Sequence, residues 1–435
     1  MFRRLLLATA LIVPLTLAAQ AADLLQVYED AVLQDAELAI EKARLQQARA
    51  QIRQADSAIL PSLKASGDWQ RRDPEGQSSE TNLALTLEAR QVLFSGEAWY
   101  GRTSAQKHFA AAEARYRDTE QQLLLRVSEA YFGVLRAEDN LRTLLAEERA
   151  LGRQLDQVKE QHQVGLIAMT DVLEAQAAYD SVRAARIGAE GALMIRYEDL
   201  EQITDQRYEQ VAILQDELPV SGPAPNDRQA WVNLALANSL ALEQARAQLG
   251  AAEELLKSRR AGHWPRVSAY GSYTNNSDTS PNRADAVSVL GLRAEVELYG
   301  GGRTSAQIRE SSHQLEEARF SSELARRQIL QQTRSLFTLV NTDVLTVQAR
   351  QQAIHSALSA LEATRSGYEV GTRNLVDVLN AERALWSAKR DHDAARYDYV
   401  VNQLRLKRVA GTLTEQHLRE LNHWLQAAAS HAGKQ

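Results

Sequence analysis

The sequence predicts a mainly α-helical fold that carries a small complement of membrane-type β-strands and is built as a tandem internal repeat. Three observations carry that reading: landmarks that recur in order about 200 residues apart, two uninterrupted helical stretches far longer than a compact domain, and strand segments with one apolar face. Pro61-Ser62-Leu63-Lys64-Ala65-Ser66-Gly67 answers to Pro265-Arg266-Val267-Ser268-Ala269-Tyr270-Gly271, and Leu93-Phe94-Ser95-Gly96 to Leu298-Tyr299-Gly300-Gly301. Val164-Gly165-Leu166 with Asp171-Val172-Leu173 answers to Val370-Gly371-Thr372 with Asp377-Val378-Leu379. The offset drifts only from 204 to 206 residues, so one unit was duplicated. Length alone, at ~150 residues per domain, would have suggested two or three globular domains.

Each unit reads helix, strand, strand, very long helix, helix. The first copy has helices at 23–58, 97–163 and 170–205 around strands at 63–71 and 83–94. The second has helices at 228–262, 303–368 and 374–410 around strands at 267–275 and 287–299. A linker rich in Pro, Gly and Asn joins them at 218–227. The expected organisation is a signal peptide at 1–21, a first repeat at 22–217, the linker, a second repeat at 228–412 and a C-terminal segment at 413–435. The leader rests on Arg3-Arg4, an apolar stretch from Leu5 to Ala19 and the small-x-small site Ala19-Gln20-Ala21, with cleavage before Ala22. Its apolar run, at ~15 residues, is too short for a spanning helix, which needs ~20.

Composition narrows the function classes. The chain is 44% hydrophobic and 24% charged with 21 Gly and 8 Pro, which excludes collagen-like and disordered classes. A net charge of −6 argues against a nucleic-acid partner. The absence of Cys excludes disulfide frameworks, zinc–thiolate and iron–sulfur sites and thiol catalysis. Gly300-Gly301-Gly302-Arg303-Thr304 lacks the lysine and spacing of a phosphate loop and reads as a strand-to-helix turn. No HExxH, GxSxG or metal-spaced His pair is present, so the chain is read as a non-enzyme without a cofactor or metal.

At 1.5 Å per residue each longest helix reaches roughly 100 Å, so the helices must pack side by side along their length. Leu123, Val127, Ala130, Val134, Ala137, Leu141, Leu144, Glu148, Leu151, Leu155, Val158 and His162 keep a strict 4-3 spacing, the register of a coiled coil. Ile329, Leu336, Val340, Val347, Ile354, Ala357, Leu361 and Tyr368 keep it in the second copy, with polar intrusions at Thr333, Asp343, Arg350 and Thr364. The two shorter helices of each copy together match the long one in length, so they are expected to stack end to end and pair with it.

In the strands, Leu83, Leu85, Leu87, Ala89 and Leu93 alternate with Thr86, Glu88 and Arg90. Leu290, Leu292, Ala294, Val296 and Leu298 likewise oppose Arg293, Glu295 and Glu297. Ten-residue segments of this kind are the signature of an outer-membrane barrel, and Trp69 and Tyr273 stand where an interfacial aromatic belt would put them. Four strands cannot close a barrel, and an open edge in lipid leaves backbone groups unpaired, so the chain must oligomerise. Two copies would supply eight strands, three twelve and four sixteen. The rival reading is a periplasmic coiled-coil adaptor or scaffold without a membrane barrel.

Three passages decide among these. Tyr368-Glu369-Val370-Gly371-Thr372-Arg373-Asn374-Leu375-Val376-Asp377-Val378-Leu379, Ala395-Arg396-Tyr397-Asp398-Tyr399-Val400-Val401-Asn402-Gln403-Leu404 and Gly411-Thr412-Leu413-Thr414-Glu415-Gln416-His417-Leu418 resemble the TolC family of outer-membrane exit ducts, and the match covers essentially the whole mature chain. The resemblance implies a homotrimer. In it, a twelve-stranded barrel in the outer membrane of a Gram-negative bacterium continues into a twelve-helix periplasmic tunnel, with a belt formed partly by the linker and the C-terminal segment. It also implies a periplasmic adaptor (membrane fusion) protein and an inner-membrane ABC or proton-driven transporter as partners, for type I protein secretion or efflux of toxic compounds.

The same resemblance implies site residues. Thr170 and Asp171, with Tyr368 and Arg373, match the residues that hold the closed periplasmic tips together. Asp377 matches one Asp of the entrance constriction, while Asn380 stands where the best-known members place a second. Val164, Gly165 and Leu166, with Val370, Gly371 and Thr372, lie at the hairpin tips that meet the adaptor. Locally, Gly165 and Gly371 are helix C-cap glycines, and Asp171 and Asp377 are acids favoured in a helix's first turn.

Overall fold

The computed structural model describes residues 21–73, 75, 80–215, 218–278 and 286–426. The leader at 1–20 and the end of the C-terminal segment at 427–435 lie outside the described residues. The first copy runs α1 (Leu24–Gln34), α2 (Ala36–Ser57), β1 (Ser62–Arg72), β2 (Glu80–Phe94), α3 (Gly96–Gln163) and α4 (Met169–Thr204). After β3 (Ile213–Leu214) the second copy runs α5 (Arg228–Asn238), α6 (Leu240–Arg260), β4 (Arg266–Asp278), β5 (Ala286–Glu295), α7 (Arg303–Glu369) and α8 (Leu375–Val409), followed by α9 (Glu415–Asn422) and β6 (Leu425–Gln426). None of the described helices is long and apolar enough to cross a membrane.

Two expected helices are each broken once. Residues 23–58 divide at Asp35 and residues 228–262 at Ser239, both in an extended conformation with ψ near 116° and 118°. Asp35 is buried, accepts the Leu38 backbone N–H at 2.7 Å and pairs with Arg126 at 2.8 Å, so a single side chain caps a new helix inside an otherwise helical run. At Ser239 the neighbouring turn explains the break. Gly411, at φ +69°, lies so close that a Cβ there would sit 2.1 Å from the Asn238 carbonyl oxygen.

The four long strands form one antiparallel sheet in the order β1-β2-β4-β5. Its register places Trp69 opposite Leu83 and Leu87 opposite Tyr273, so the two aromatics share the apolar face with Leu85, Leu290 and Leu292. The other face carries Lys64, Thr86, Glu88, Arg90, Ser272 and Arg293, and Thr86 meets Thr274 hydroxyl to hydroxyl at 3.0 Å. Strand β5 ends at Glu295, four residues earlier than the pattern suggests, because its partner β4 begins at Arg266 and nothing pairs beyond it. Leu298 and Tyr299 are therefore left 91% and 87% exposed.

The helices lie in a row. Nearest the sheet the order is α2, α3, α6, α7; toward the far end it is α4, α3, α8, α7, so α2 and α4 stack along one edge and α7 forms the other. Each long helix pairs with the shorter helices of its own copy as their lengths suggest. The register positions Leu123, Val127, Val134, Leu144, Leu151, Leu155 and Val158 are buried, as are Ile329, Val340, Val347 and Leu361. The polar intrusions are satisfied: Thr333 donates to the Ile329 carbonyl, Asp343 accepts from Asn402 at 2.9 Å, Arg350 pairs with Asp391 at 3.0 Å and Thr364 donates to the Ala360 carbonyl.

The largest apolar cluster sits at mid-height, where α1, α3, α5, α8 and α9 converge on Tyr131, Phe132, Trp231, Tyr397, Leu404 and Leu418. Tyr131 is fully buried and donates to the Ala212 carbonyl at 2.7 Å, tying the segment that follows α4 to α3, while β3 pairs with β6 to join that segment to the C-terminal one. These two segments form a belt around the middle of the helical row.

Candidate functional site

The far end of the row consists of two hairpin tips built alike. In each, a long helix ends in a Schellman motif around a left-handed glycine. Gly165 (φ +77°) donates to the His162 carbonyl at 2.9 Å and Leu166 to Gln161 at 2.9 Å; Gly371 (φ +78°) donates to Tyr368 at 3.0 Å and Thr372 to Gly367 at 2.8 Å. The apolar tip residues Val164, Leu166 and Val370 are 70–74% exposed, which leaves three large side chains at the end of the molecule with no internal partner.

The return helices start differently. Helix α8 opens with a capping box in which Asn374 accepts the Asp377 N–H at 2.8 Å and Asp377 accepts the Asn374 N–H at 3.3 Å. Helix α4 opens at Ala168 with no side-chain cap, and the loop before it is held by His162 Nδ1 against the Ile167 carbonyl oxygen at 3.0 Å. Thr170 is exposed and Asp171 half-buried in the first turn of α4.

Of the four residues expected to latch the tips, the structure brings Tyr368 and Asp171 near one another: burial, and then the Asp171 carboxylate, raise the Tyr368 phenol above its ordinary pKa. Tyr368 also packs against the apolar clusters of both coiled coils and so bridges them. Arg373 lies instead beside Asp377 in its own hairpin, at 3.9 Å, and no Asp171–Arg373 ion pair forms within the chain among the described residues. Asn380 is exposed one turn beyond Asp377.

Between the two tips, on the α3–α7 side, runs a groove of about 910 Å³ lined by Arg153, Gln157, Leu166, Arg365, Tyr368 and Arg373. Its floor is Glu382, buried and bonded to Arg365, with Oε2 lacking a hydrogen-bond partner. The sequence reading missed Glu382, which looks like any polar helix residue, and Gly367. A Cβ on Gly367 would sit 2.8 Å from Arg373 Cγ, so glycine is what lets the return loop fold against α7. It also missed a ladder between α3 and α8: Asp118–Arg408 at 3.3 Å, Glu129–Arg405 at 2.7 Å, Arg136–Asp398, Asp139–Tyr397 and Glu147–Arg390 at 2.7 Å. Burial raises the Asp139 carboxyl, and the Tyr397 hydroxyl only partly offsets this. Tipward of Glu147 no ion pair joins α3 to α8 among the described residues, and the buried apolar residues Leu375 and Leu379 of α8 pack across.

The same fold recurs among known proteins. The family model for "Outer membrane efflux protein" matches residues 27–206 and 231–412, once in each copy. The chain belongs to the outer membrane efflux protein family. The outer membrane protein TolC of Vibrio cholerae serotype O1 is 33% identical over 430 residues, covering 97% of this chain and 98% of that one. The alkaline protease secretion protein AprF of Pseudomonas aeruginosa is 30% identical over 338 residues, 77% of this chain and 70% of that one. The solved structure of the outer membrane protein VceC from Vibrio cholerae shares the fold, with a TM-score of 0.80 at 20% identity over 89% of this chain and 96% of that one.

As a member of the outer membrane efflux protein family, this chain is an outer-membrane exit duct with a long periplasmic helical part, of the type that serves secretion and efflux. Its relatives are channel proteins rather than enzymes. The rival reading, a periplasmic adaptor without a barrel, is not favoured.

Proposed function

We propose that three copies of the chain close side by side into one conduit, and that the hairpin tips are its adaptor-operated gate. The observation that carries this reading is that every layer of the protomer is open at the same two sides. In the sheet, β1 and β5 are unpaired edges; in the helical part, α2 and α4 form one edge and α7 the other. Those helical edges are apolar yet uncovered, with Ile40, Ile187 and Met194 on one and Phe320, Leu324 and Leu345 on the other. Such an interface is heterologous, so it closes only as a ring. With four strands each, three copies give a twelve-stranded barrel of ordinary outer-membrane size.

On this reading the mature chain begins at Ala22 after leader removal, and the two repeats at 22–217 and 228–412 supply equivalent walls joined by the linker at 218–227. The segment from 413 onward completes the belt. The tips Val164, Gly165, Leu166, Val370, Gly371 and Thr372, with the groove beside them, receive a periplasmic adaptor bound to an inner-membrane ABC or proton-driven transporter. AprF, as a protease secretion protein, supports a protein cargo, and the family description supports small molecules.

Asp377 and Asn380 line the constriction, and Thr170, Asp171, Tyr368 and Arg373 latch it. A wet Asp171–Arg373 link contributes only ~0–1 kcal/mol, so a docking partner can displace it. In planar bilayers, Asp171→Ala and Arg373→Ala are expected to conduct several-fold better than the unmodified protein. Equal conductance in all three would contradict the latch.

A further inference from the structure

Helix α8 buries one face and leaves the other open at its first turns. Leu375, Val378, Leu379, Glu382 and Leu385 are buried, while Asn380, Arg383 and Ala384 are exposed and Asp377 is half-exposed. On the exposed side the residues run Asp377, then the neutral Asn380, then Arg383, each step turning about 60° around the helix. Arg373 lies beside Asp377, Arg365 bonds Glu382 and Arg390 bonds Glu147, whereas Arg383 has no ion pair among the described residues. The repeat-equivalent position on α4 is Ala177, while the exposed Glu174, counterpart of Asn380, places an acid one turn nearer the tip.

The negative charge below it is already attenuated. Asp377 accepts the Asn374 N–H, sits in the positive field of the α8 N-terminus and has Arg373 at 3.9 Å. Six residues of helix separate Asp377 from Arg383, about 9 Å along the axis, comparable to the screening length in physiological salt of ~8 Å. The two positions therefore act as separate charges rather than cancelling.

We propose that Arg383 forms a second, cationic ring of the entrance, so that this duct has a bipolar constriction that draws anionic cargo past the Asp377 ring instead of filtering for cations. This rests on the trimeric constriction proposed above. Three arginines gathered around one axis, in a channel walled by low-dielectric helices, focus a field that a lone surface arginine does not. Cargo bearing carboxylate, sulfonate or phosphate groups meets an attractive ring directly after the acidic one. The base at Arg383 moves the entrance in this direction, against the acid that Glu174 keeps at the level of Asn380.

The test is the reversal potential of the reconstituted protein in a potassium chloride gradient. The unmodified channel is expected to show a potassium-to-chloride permeability ratio within about twofold of unity. Arg383→Gln should raise it at least about threefold, Arg383→Glu further still with block by divalent cations appearing, and Arg383→Lys should keep the unmodified value. Asp377→Asn should lower the ratio. If Asp377→Asn shifts the ratio and Arg383→Gln and Arg383→Glu do not, Arg383 is outside the pore and the inference fails while the constriction stands. If neither position shifts it, the constriction itself is misplaced and the inference falls with it.

Discussion

The middle and the tip of the helical row are made from the same helices but held by different forces. At mid-height, Phe132 is packed between Tyr131 and Tyr397, with ring centroids 5.7 and 6.1 Å away. Around it, α3 and α8 are stitched by charge pairs from Asp118 to Glu147, and the belt adds the Tyr131–Ala212 hydrogen bond. At the tip, Leu375 and Leu379 are the buried α8 residues that pack across to the first coiled coil, and the ion pair of Arg373 and Asp377 is largely solvated. Helices of 68 and 67 residues thus pass from a stiff collar into weakly joined ends. On the proposed reading, a gate at the end of such a lever moves without disturbing the sheet, because the mid-height cluster and the α3–α8 charge pairs lie above it, while the clusters nearer the tips chiefly hold each coiled coil together.

This contrast can be broken first at the collar. Phe132→Ala should cost about 3–5 kcal/mol, since a large side chain with no solvent exposure leaves a cavity that close-packed aromatics cannot fill. Thermal unfolding of the solubilised protein reads this directly, and a change below about 1 kcal/mol would mean the collar is loosely packed.

The boundary between the regions is sharpened by Arg390→Ala. It leaves Glu147, only 5% exposed, without its cation, for an expected loss of about 3 kcal/mol. Because this is the last tie before the tips, hydrogen exchange should rise in α3 and α8 tipward of Glu147 while the belt stays protected. Uniform acceleration along both helices would show that the ladder does not end there. The latch substitutions at Asp171 and Arg373 are the smallest in stability, ~0–1 kcal/mol, and act on conductance rather than on folding.

What could be read from the sequence follows from how each feature encodes itself. The coiled-coil registers were plain because 4-3 spacing over many turns has no competing explanation, and Val127, Val134, Val158 and Val340 are all fully buried. The strand faces were plain because alternation fixes which residues share a side, and Trp69 and Tyr273 do share the apolar one. The breaks at Asp35 and Ser239 were hidden because one cap inside a run of good helix formers changes no periodicity. The end of β5 was hidden because its apolar alternation continues past the point where β4 stops offering a partner.

At the tips, the capping glycines Gly165 and Gly371 announced themselves by residue type, whereas Thr170, Asp171, Tyr368 and Arg373 are proposed for the latch only through the family resemblance. The packing of Gly367 and Glu382, and the part proposed for Arg383, were invisible in sequence, because they depend on neighbours in space.

The central claim is that this chain is one third of a closed duct, and the mass of the mature protein released from outer membranes in mild detergent tests it most directly. The account predicts a complex of three chains that conducts when placed in a bilayer. A single chain, soluble without detergent and silent in the bilayer, would contradict it.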